Sequence, residues 1–339
     1  MKRNFIWISA ALMFAVLVVI ILAWFILEKS PGHKGPIEKI TIASTPAYYS
    51  LPILIAANQG YFIRNGLDVT VNLYETGLVT LEMLVRGKVD FATASEFGFV
   101  NRSLEAGNEN LRIIASMATN YSEELIARRD HGIQALEDLR GKRIGIHHNS
   151  AIDFSFNRFL ILQQIPPGEV TLVALSYSEC LEAISKGEID AAVLFDYLLY
   201  QAKQRLGANA VSWPTRSTQP FYWLLIGRNE SIEKQPAVSQ RLLTALLEAQ
   251  AFIRAHPTEA EVILAKGWQR DSEFLRSAQK TSNFAISLDQ GLIVAMEDEA
   301  DWLIERGLAG KKTAAPNYLH FIYMNALDAV KPEANTILR

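Results

Sequence analysis

Leu81-Glu82-Met83-Leu84-Val85-Arg86-Gly87-Lys88-Val89-Asp90 returns 100 residues later as Leu181-Glu182-Ala183-Ile184-Ser185-Lys186-Gly187-Glu188-Ile189-Asp190. Each copy reads as the end of an amphipathic helix: apolar side chains three and four apart, a base in the last turn, and a glycine able to take the left-handed cap. A buried strand is predicted after each copy. The first runs through Phe91-Ala92-Thr93-Ala94 into Ser95-Glu96-Phe97, the second through Ala191-Ala192-Val193-Leu194 into Phe195-Asp196-Tyr197. Helix, turn and strand in this order belong to an α/β sheet, in which ligands sit beyond the carboxyl ends of the strands. Two matching strand ends, each with a carboxylate beside aromatics, predict two similar half-sites.

Upstream of the first copy, Ile37 to Ser44 alternates as a strand, and Thr45-Pro46-Ala47-Tyr48-Tyr49-Ser50 is a loop. Leu51 to Gln59 reads as a helix stopped by Gly60. Tyr61-Phe62, a turn at Asn65-Gly66 and a strand from Leu67 to Val71 follow, and Thr76-Gly77 opens the helix of the repeat. The order is β-α-β-α-β, that of a wound sheet. Beyond it, Leu111 to Ser116 and Glu124 to Arg128 are predicted strands, the second leaving the first lobe. Leu136 to Leu139 is a short helix, and Lys142 to His147 is a strand opening the second lobe. Ser150 is placed as the N-cap of a helix from Ala151, whose free amides suit a polar or anionic group. Val170 to Leu175 is a strand, Trp213-Pro214 to Pro220 a loop, and Phe221 to Ile226 a strand carrying the chain back. The remainder is mostly helical: a stripe from Val238 to Ile253 ending at Pro257, then Thr258 to Trp268, Leu288 to Arg306, and Tyr318 to Val330.

A chain of 339 residues, half of them apolar, exceeds one ordinary core and predicts two lobes. A net charge of −3 without a basic stripe makes nucleic acid an unlikely partner on physical grounds. Cys180 is the single cysteine, which excludes an internal disulfide, a cysteine-rich metal site and a two-cysteine redox motif.

Phe5 to Leu27 is apolar apart from Ser9 and follows Lys2 and Arg3. It meets the roughly 20 residues needed to span a bilayer, lacks a small-x-small cleavage site, and is read as an uncleaved single-pass anchor in the cell inner membrane. The flanking charges put the folded part on the extracytoplasmic side. Ser30-Pro31-Gly32-His33-Lys34-Gly35-Pro36 is a linker.

Ala56-Ala57-Asn58-Gln59-Gly60-Tyr61-Phe62, Gly66-Leu67-Asp68-Val69 and Gly87-Lys88-Val89-Asp90-Phe91-Ala92 form an ordered series. Leu139-Arg140-Gly141-Lys142-Arg143-Ile144-Gly145, with Ser150, Asp153 and Phe154, and Gly187-Glu188-Ile189-Asp190-Ala191 continue it. In this series the chain resembles the extracytoplasmic solute-binding proteins of ABC importers, of the nitrate/sulfonate/taurine and thiamine-pyrimidine-precursor type. The resemblance runs from Ile40 to the carboxyl end. It implies an α/β, two-lobed periplasmic-binding-protein fold of type II, here with an N-terminal transmembrane helix. The expected division is an anchor at 1–27, a linker at 28–36, lobe one at 37–125 and 222–339, and lobe two at 126–221. The implied partners are a small-molecule solute and an ABC permease, with a monomeric receptor, no cofactor and no catalysis.

The candidate ligand-binding residues stand in strand-end loops: Ser44, Thr45, Tyr48, Ser95, Glu96, His147, Asn149, Ser150, Asp153, Asp196 and Tyr222. Those loops hold three carboxylates and no Lys or Arg, with Tyr48, Phe97, Tyr197 and Tyr222 as flat faces. That favours a pyrimidine-like or amine-like solute over a sulfonate. His147 and His148 invite a metal, with Glu96, Asp153 or Asp196 as further ligands, but neighbours in extended backbone point to opposite sides. No Gly-x-Ser-x-Gly elbow and no glycine-rich phosphate loop is present. Two other functions fit the same scaffold. One is an enzyme of thiamine-pyrimidine synthesis, disfavoured because the related enzyme uses a cysteine cluster. The other is a ligand-sensing module serving a partner kinase.

Overall fold

The two copies of the repeat occupy equivalent places in two separate sheets. A computed structural model describes residues 33–105, 110–216, 219–268 and 272–338. The predicted anchor, Phe5 to Leu27, lies outside the described residues. Among the described residues no helix is long and apolar enough to cross a membrane.

The strands are β1 (Glu38–Ser44), β2 (Leu67–Leu73), β3 (Phe91–Ser95), β4 (Leu111–Asn120), β5 (Glu124–Arg128), β6 (Arg143–Ile146), β7 (Thr171–Ala174), β8 (Ala191–Leu194), β9 (Ala210–Pro214), β10 (Phe221–Arg228) and β11 (Ser282–Asn283). The first sheet runs β11-β4-β10-β3-β1-β2 and the second β7-β6-β8-β5-β9. In the first, β1 is parallel to β2 and β3, with Ala43 opposite Ala92; in the second, β6 is parallel to β7 and β8, with Gly145 opposite Ala192. Each sheet also takes one antiparallel strand from a crossing. β5 follows β4 yet lies between β8 and β9, and β10 follows β9 yet lies between β3 and β4.

The repeat helices are Gly77–Val85 and Tyr177–Lys186. Thr76 caps the first by accepting from the Val79 amide. Ser176 and Glu179 form a reciprocal capping box on the second, which satisfies two of its orphan donors. Gly87 and Gly187 both take the left-handed conformation, at φ 67° and 76°. Leu81 and Leu84, and at matching positions Leu181 and Ile184, face their cores, each contributing roughly 1.5–3 kcal/mol by burial. The repeated aspartates pin strand starts. Asp90 accepts from the Thr41 amide and hydroxyl at 2.7 and 2.8 Å, and Asp190 from the Arg143 amide at 2.8 Å and His131 Nδ1 at 2.7 Å.

Three segments depart from the sequence reading. Tyr61–Arg64 is a helical turn, entered through Gly60 at φ 69°. β9 extends to Pro214 where a loop was expected from Trp213; as a partly exposed edge strand it shows no apolar run, and its terminal proline needs no donor. Tyr318 to Val330 is two pieces, Tyr318–Phe321 and Asn325–Val330, because the Tyr323 amide leaves the helical path to donate to Ile113 O at 2.8 Å.

Candidate functional site

The carboxyl ends of the parallel strands of the two sheets face each other. Residues following β3 meet those following β6: Phe97 lies 6.4 Å from Phe154 between ring centres, and Arg216 joins Glu96 to the Ala151 carbonyl. Residues following β1 meet those following β8, through a side-chain hydrogen bond between Tyr49 and Asp196.

On the first-sheet side the polar groups are knit into a floor. Ser44 Oγ donates to Ser50 Oγ at 3.1 Å and lies 3.0 Å from Thr93 Oγ1, and Trp223 Nε1 donates to Ser50 at 2.9 Å. Thr45 is buried, and its hydroxyl has no hydrogen-bond partner among the described residues. Tyr48 packs against Phe284 at 5.3 Å, and its phenol pKa is pushed up by burial and by Glu261 and Asp196. Ser95 caps its helix by accepting from the Gly98 amide. Tyr222 has its amide on Glu96 Oε2 at 3.0 Å, while its hydroxyl reaches away to Asp289 at 2.9 Å.

On the second-sheet side His147 packs at a tilt against Tyr177, 4.5 Å between ring centres, and its Nδ1 lies 3.2 Å from the Leu175 carbonyl. Ser150 donates to the His147 carbonyl at 2.6 Å and caps Asp153. Asp153 is fully buried within its own turn: it accepts from the Asn149 amide at 3.0 Å and Asn157 Nδ2 at 2.7 Å, with His148 Nδ1 at 3.2 Å. The two histidines therefore serve different partners. Asn149 and Asp196 stand at the ends of β6 and β8 with φ 57° and 51°. Such left-handed backbone is tolerated best by Asn and Asp, and non-glycine examples concentrate at functional sites.

Between the two halves lies a polar cluster invisible in the sequence. Arg216, from the second crossing, is 2% exposed at its side chain, and it donates to Glu123 Oε2 at 3.0 Å and Glu96 Oε1 at 3.4 Å. Glu123, from the first crossing, also accepts from Thr215 Oγ1 at 2.6 Å and from Ser155. The sequence-based statement that the cleft loops contain no Lys or Arg is thus corrected: Arg216 comes from the loop after Trp213. A lone base in a polar loop carries no periodic signal. Burial raises the Glu96 carboxyl to about 7 even though Arg216 and the Tyr222 amide pull it down. Glu299 is fully buried, neither of its oxygens has a hydrogen-bond partner among the described residues, and burial together with Glu96 pushes its carboxyl well above the usual range.

The helix Gln290–Glu305 spans the two halves beside this cluster. Trp302 meets Phe97 at 6.1 Å and Phe154 at 5.8 Å, Asp298 accepts from Arg158 at 2.8 Å, and Arg306 donates to Asn157 at 2.8 Å. On the opposite flank Phe274 packs on Tyr197 at 5.0 Å and Tyr200 at 5.8 Å.

Residues 47–260, more than half of the chain, match the family described as "NMT1/THI5 like". A "Putative binding protein" of Brucella abortus is 25% identical over 235 residues, 67% of this chain and 70% of that protein. A "Putative aliphatic sulfonates-binding protein" of Bacillus subtilis is 23% identical over 306 residues, 88% and 90% of the two chains. Among solved structures, the periplasmic aliphatic sulphonate binding protein SsuA of Escherichia coli is similar at a TM-score of 0.74 and 16% identity, over 86% of this chain and 93% of that one. The likeness identifies the periplasmic-binding-protein fold.

Proposed function

The chain belongs to the NMT1/THI5-like family, and from that premise we propose that it is the solute receptor of an ABC importer, binding a small organic solute between two closing lobes. Binding rather than reaction is its task. The observation that carries this reading is the opposition of strand ends, with Glu96 and Phe97 on one side and Ala151 and Phe154 on the other. We take lobe one as 37–125 with 222–339 and lobe two as 126–221. The 11 strand-end residues named from the sequence remain the proposed ring around the solute, and Phe5 to Leu27 the proposed tether presenting the receptor to its permease.

For the solute we favour an organic sulfonate or a similar acid with a flat or apolar body. The preference for an amine or a pyrimidine treated Glu96, Asp153 and Asp196 as free acceptors. Each already accepts an internal hydrogen bond, from Arg216 and Tyr222, from Asn149 and Asn157, and from Tyr49. On this reading the helix amino ends at Ser95, Ser150 and Phe195 receive the anionic group of the solute. The relative named for aliphatic sulfonates supports the same class. A pyrimidine stays the second reading, favoured by the partly buried rings of Tyr177, Phe195 and Tyr197. Calorimetry with alkyl and aryl sulfonates, aminopyrimidines and amines tests the choice. Sulfonate binding is expected; binding confined to pyrimidines or amines reverses the ligand class, and X-ray scattering unchanged by every binding solute overturns the closing receptor.

A further inference from the structure

Arg216 holds both halves of the molecule and both crossings at once. Its Nε reaches Glu123 on the first crossing, its Nη1 reaches Glu96 at the end of β3, and its Nη2 donates to the Ala151 carbonyl at 3.3 Å, where the second-sheet helix begins. One guanidinium faces three buried carboxylates. Glu123 is satisfied by Arg216, Thr215 and Ser155, and Glu96 by Arg216 and the Tyr222 amide. Glu299 has nothing to accept from among the described residues, although it is 0% exposed. A carboxylate sealed from water without a donor stays neutral in preference to carrying an unpaired charge.

The second-sheet half packs on the helix beside Glu299. One turn along the same helix, Trp302 lies under Phe154, and the Arg158–Asp298 and Asn157–Arg306 contacts flank it. The charged and titratable groups around the pair are few. Arg216 comes from the second crossing and Glu123 from the first, with Tyr177 near them. Asp298 lies on the helix that carries Glu299, and Tyr318 approaches from the Tyr318–Phe321 turn. Arg158 and Arg306, on the flanks, are taken up by Asp298 and Asn157, which leaves Arg216 as the base that faces the pair among the described residues.

We propose that Glu299 and Glu96 form a proton-binding latch: the closed arrangement of the two halves holds one proton on this pair, and separating Phe154 from Trp302 admits water and releases it. The closed form therefore binds one proton more than the open form, and raising the pH drives the molecule open. Between the pKa of the open pair and the higher one of the closed pair the closed-to-open ratio falls about tenfold per pH unit. A solute that binds only the closed form loses affinity in the same proportion. The latch bears on the receptor reading, yet its test needs no solute.

The experiment follows the solute-free protein by X-ray scattering and infrared spectroscopy from about pH 5 to about pH 9, a span that brackets ordinary and raised carboxyl values. The expected result is a protonated-carboxyl carbonyl band that disappears on alkalinisation together with an increase in radius of gyration. Glu299→Gln, which fixes the neutral state, removes that band and keeps the compact dimensions at both ends of the range. Dimensions independent of pH in the wild type, or opening in Glu299→Gln with the wild-type midpoint, overturn the latch. Should the variant not fold, the wild type decides alone: a titrating carboxyl band coincident with opening supports the proposal, and no such band overturns it.

Discussion

Arg128 and Arg228, one at the end of each crossing strand, perform the same act on opposite halves of the molecule. Arg228 Nη1 donates to the carbonyls of Leu84 at 2.8 Å and Val89 at 3.2 Å, and Arg128 Nη1 to those of Ile184 at 2.9 Å and Ser185 at 3.2 Å. Each places a positive charge on the carboxyl end of a repeat helix that belongs to the sheet its strand has entered, which is where the helix dipole favours a cation. The duplication visible at Leu81 and Leu181 thus extends to the strands that the chain exchanges between its sheets.

Replacing either arginine by methionine keeps the aliphatic stem and removes the cap. Arg128→Met and Arg228→Met should each cost about 1–2 kcal/mol, and the double variant about the sum, because the sites share no partner. Urea unfolding measures this; costs below about 0.5 kcal/mol would leave the caps without energetic weight.

Gly87→Ala and Gly187→Ala test the turns beneath those caps. A Cβ at Gly187 stands 3.3 Å from His131 Nε2, one at Gly87 3.4 Å from Arg228 Nη1, and both backbones are left-handed. Each substitution should lower stability by about 1 kcal/mol. An upward shift in thermal midpoint for either would contradict the strain argument.

Arg216→Met removes the positive member of the buried cluster and leaves Glu123 and Glu96 facing each other. The expected cost is about 3–5 kcal/mol near pH 8, smaller near pH 5, where the carboxyls accept protons. Thermal unfolding at both pH values gives the comparison. Equal costs would mean the carboxylates are neutral throughout.

Wild-type stability should fall as pH rises from about 4.5 to about 7, the ordinary and buried values of Glu96. Between those limits the folded state holds a proton that the unfolded chain has lost, so unfolding releases one and folding takes one up. The slope approaches about 1.4 kcal/mol per pH unit for this group. Glu96→Gln should flatten it, and an unchanged slope in that variant would assign the titration elsewhere.

Tyr49→Phe deletes the hydrogen bond to Asp196 across the strand ends. Under the receptor reading a bound solute should dissociate about tenfold faster, as loss of one hydrogen bond to a charged acceptor implies. Stopped-flow release is the measurement. An unchanged rate would remove Tyr49 from the closing contact.

What could be read from the chain was what repeats or alternates. The helix, glycine and strand around Leu81 and Leu181 announced the sheets, and Glu124–Arg128 was bounded to the residue because a short apolar run, buried at its three central residues, stands between charged ends. Glu123, Arg216 and Glu299 were not legible. Their partners lie far off in sequence, and single charged residues in loops or on a helix face look solvated until tertiary packing closes over them. Asp153 and Asp196 were noticed for their charge, but that their hydrogen bonds are already taken internally depends on χ angles and on a left-handed turn that no spacing announces.

The placement of β10 dictates an order of assembly. Strands β5 to β9 form one uninterrupted stretch, so the second sheet holds all its strands once Pro214 has been made. The first sheet is then still missing the strand that joins β3 to β4, and the pocket of Ser50 still lacks Trp223. A chain emerging from its amino end thus completes its later half before its earlier one. Until residue 228 arrives, β3 and β4 each expose an unpaired edge, which makes this interval the one in which a chaperone or a neighbouring chain finds the most to bind.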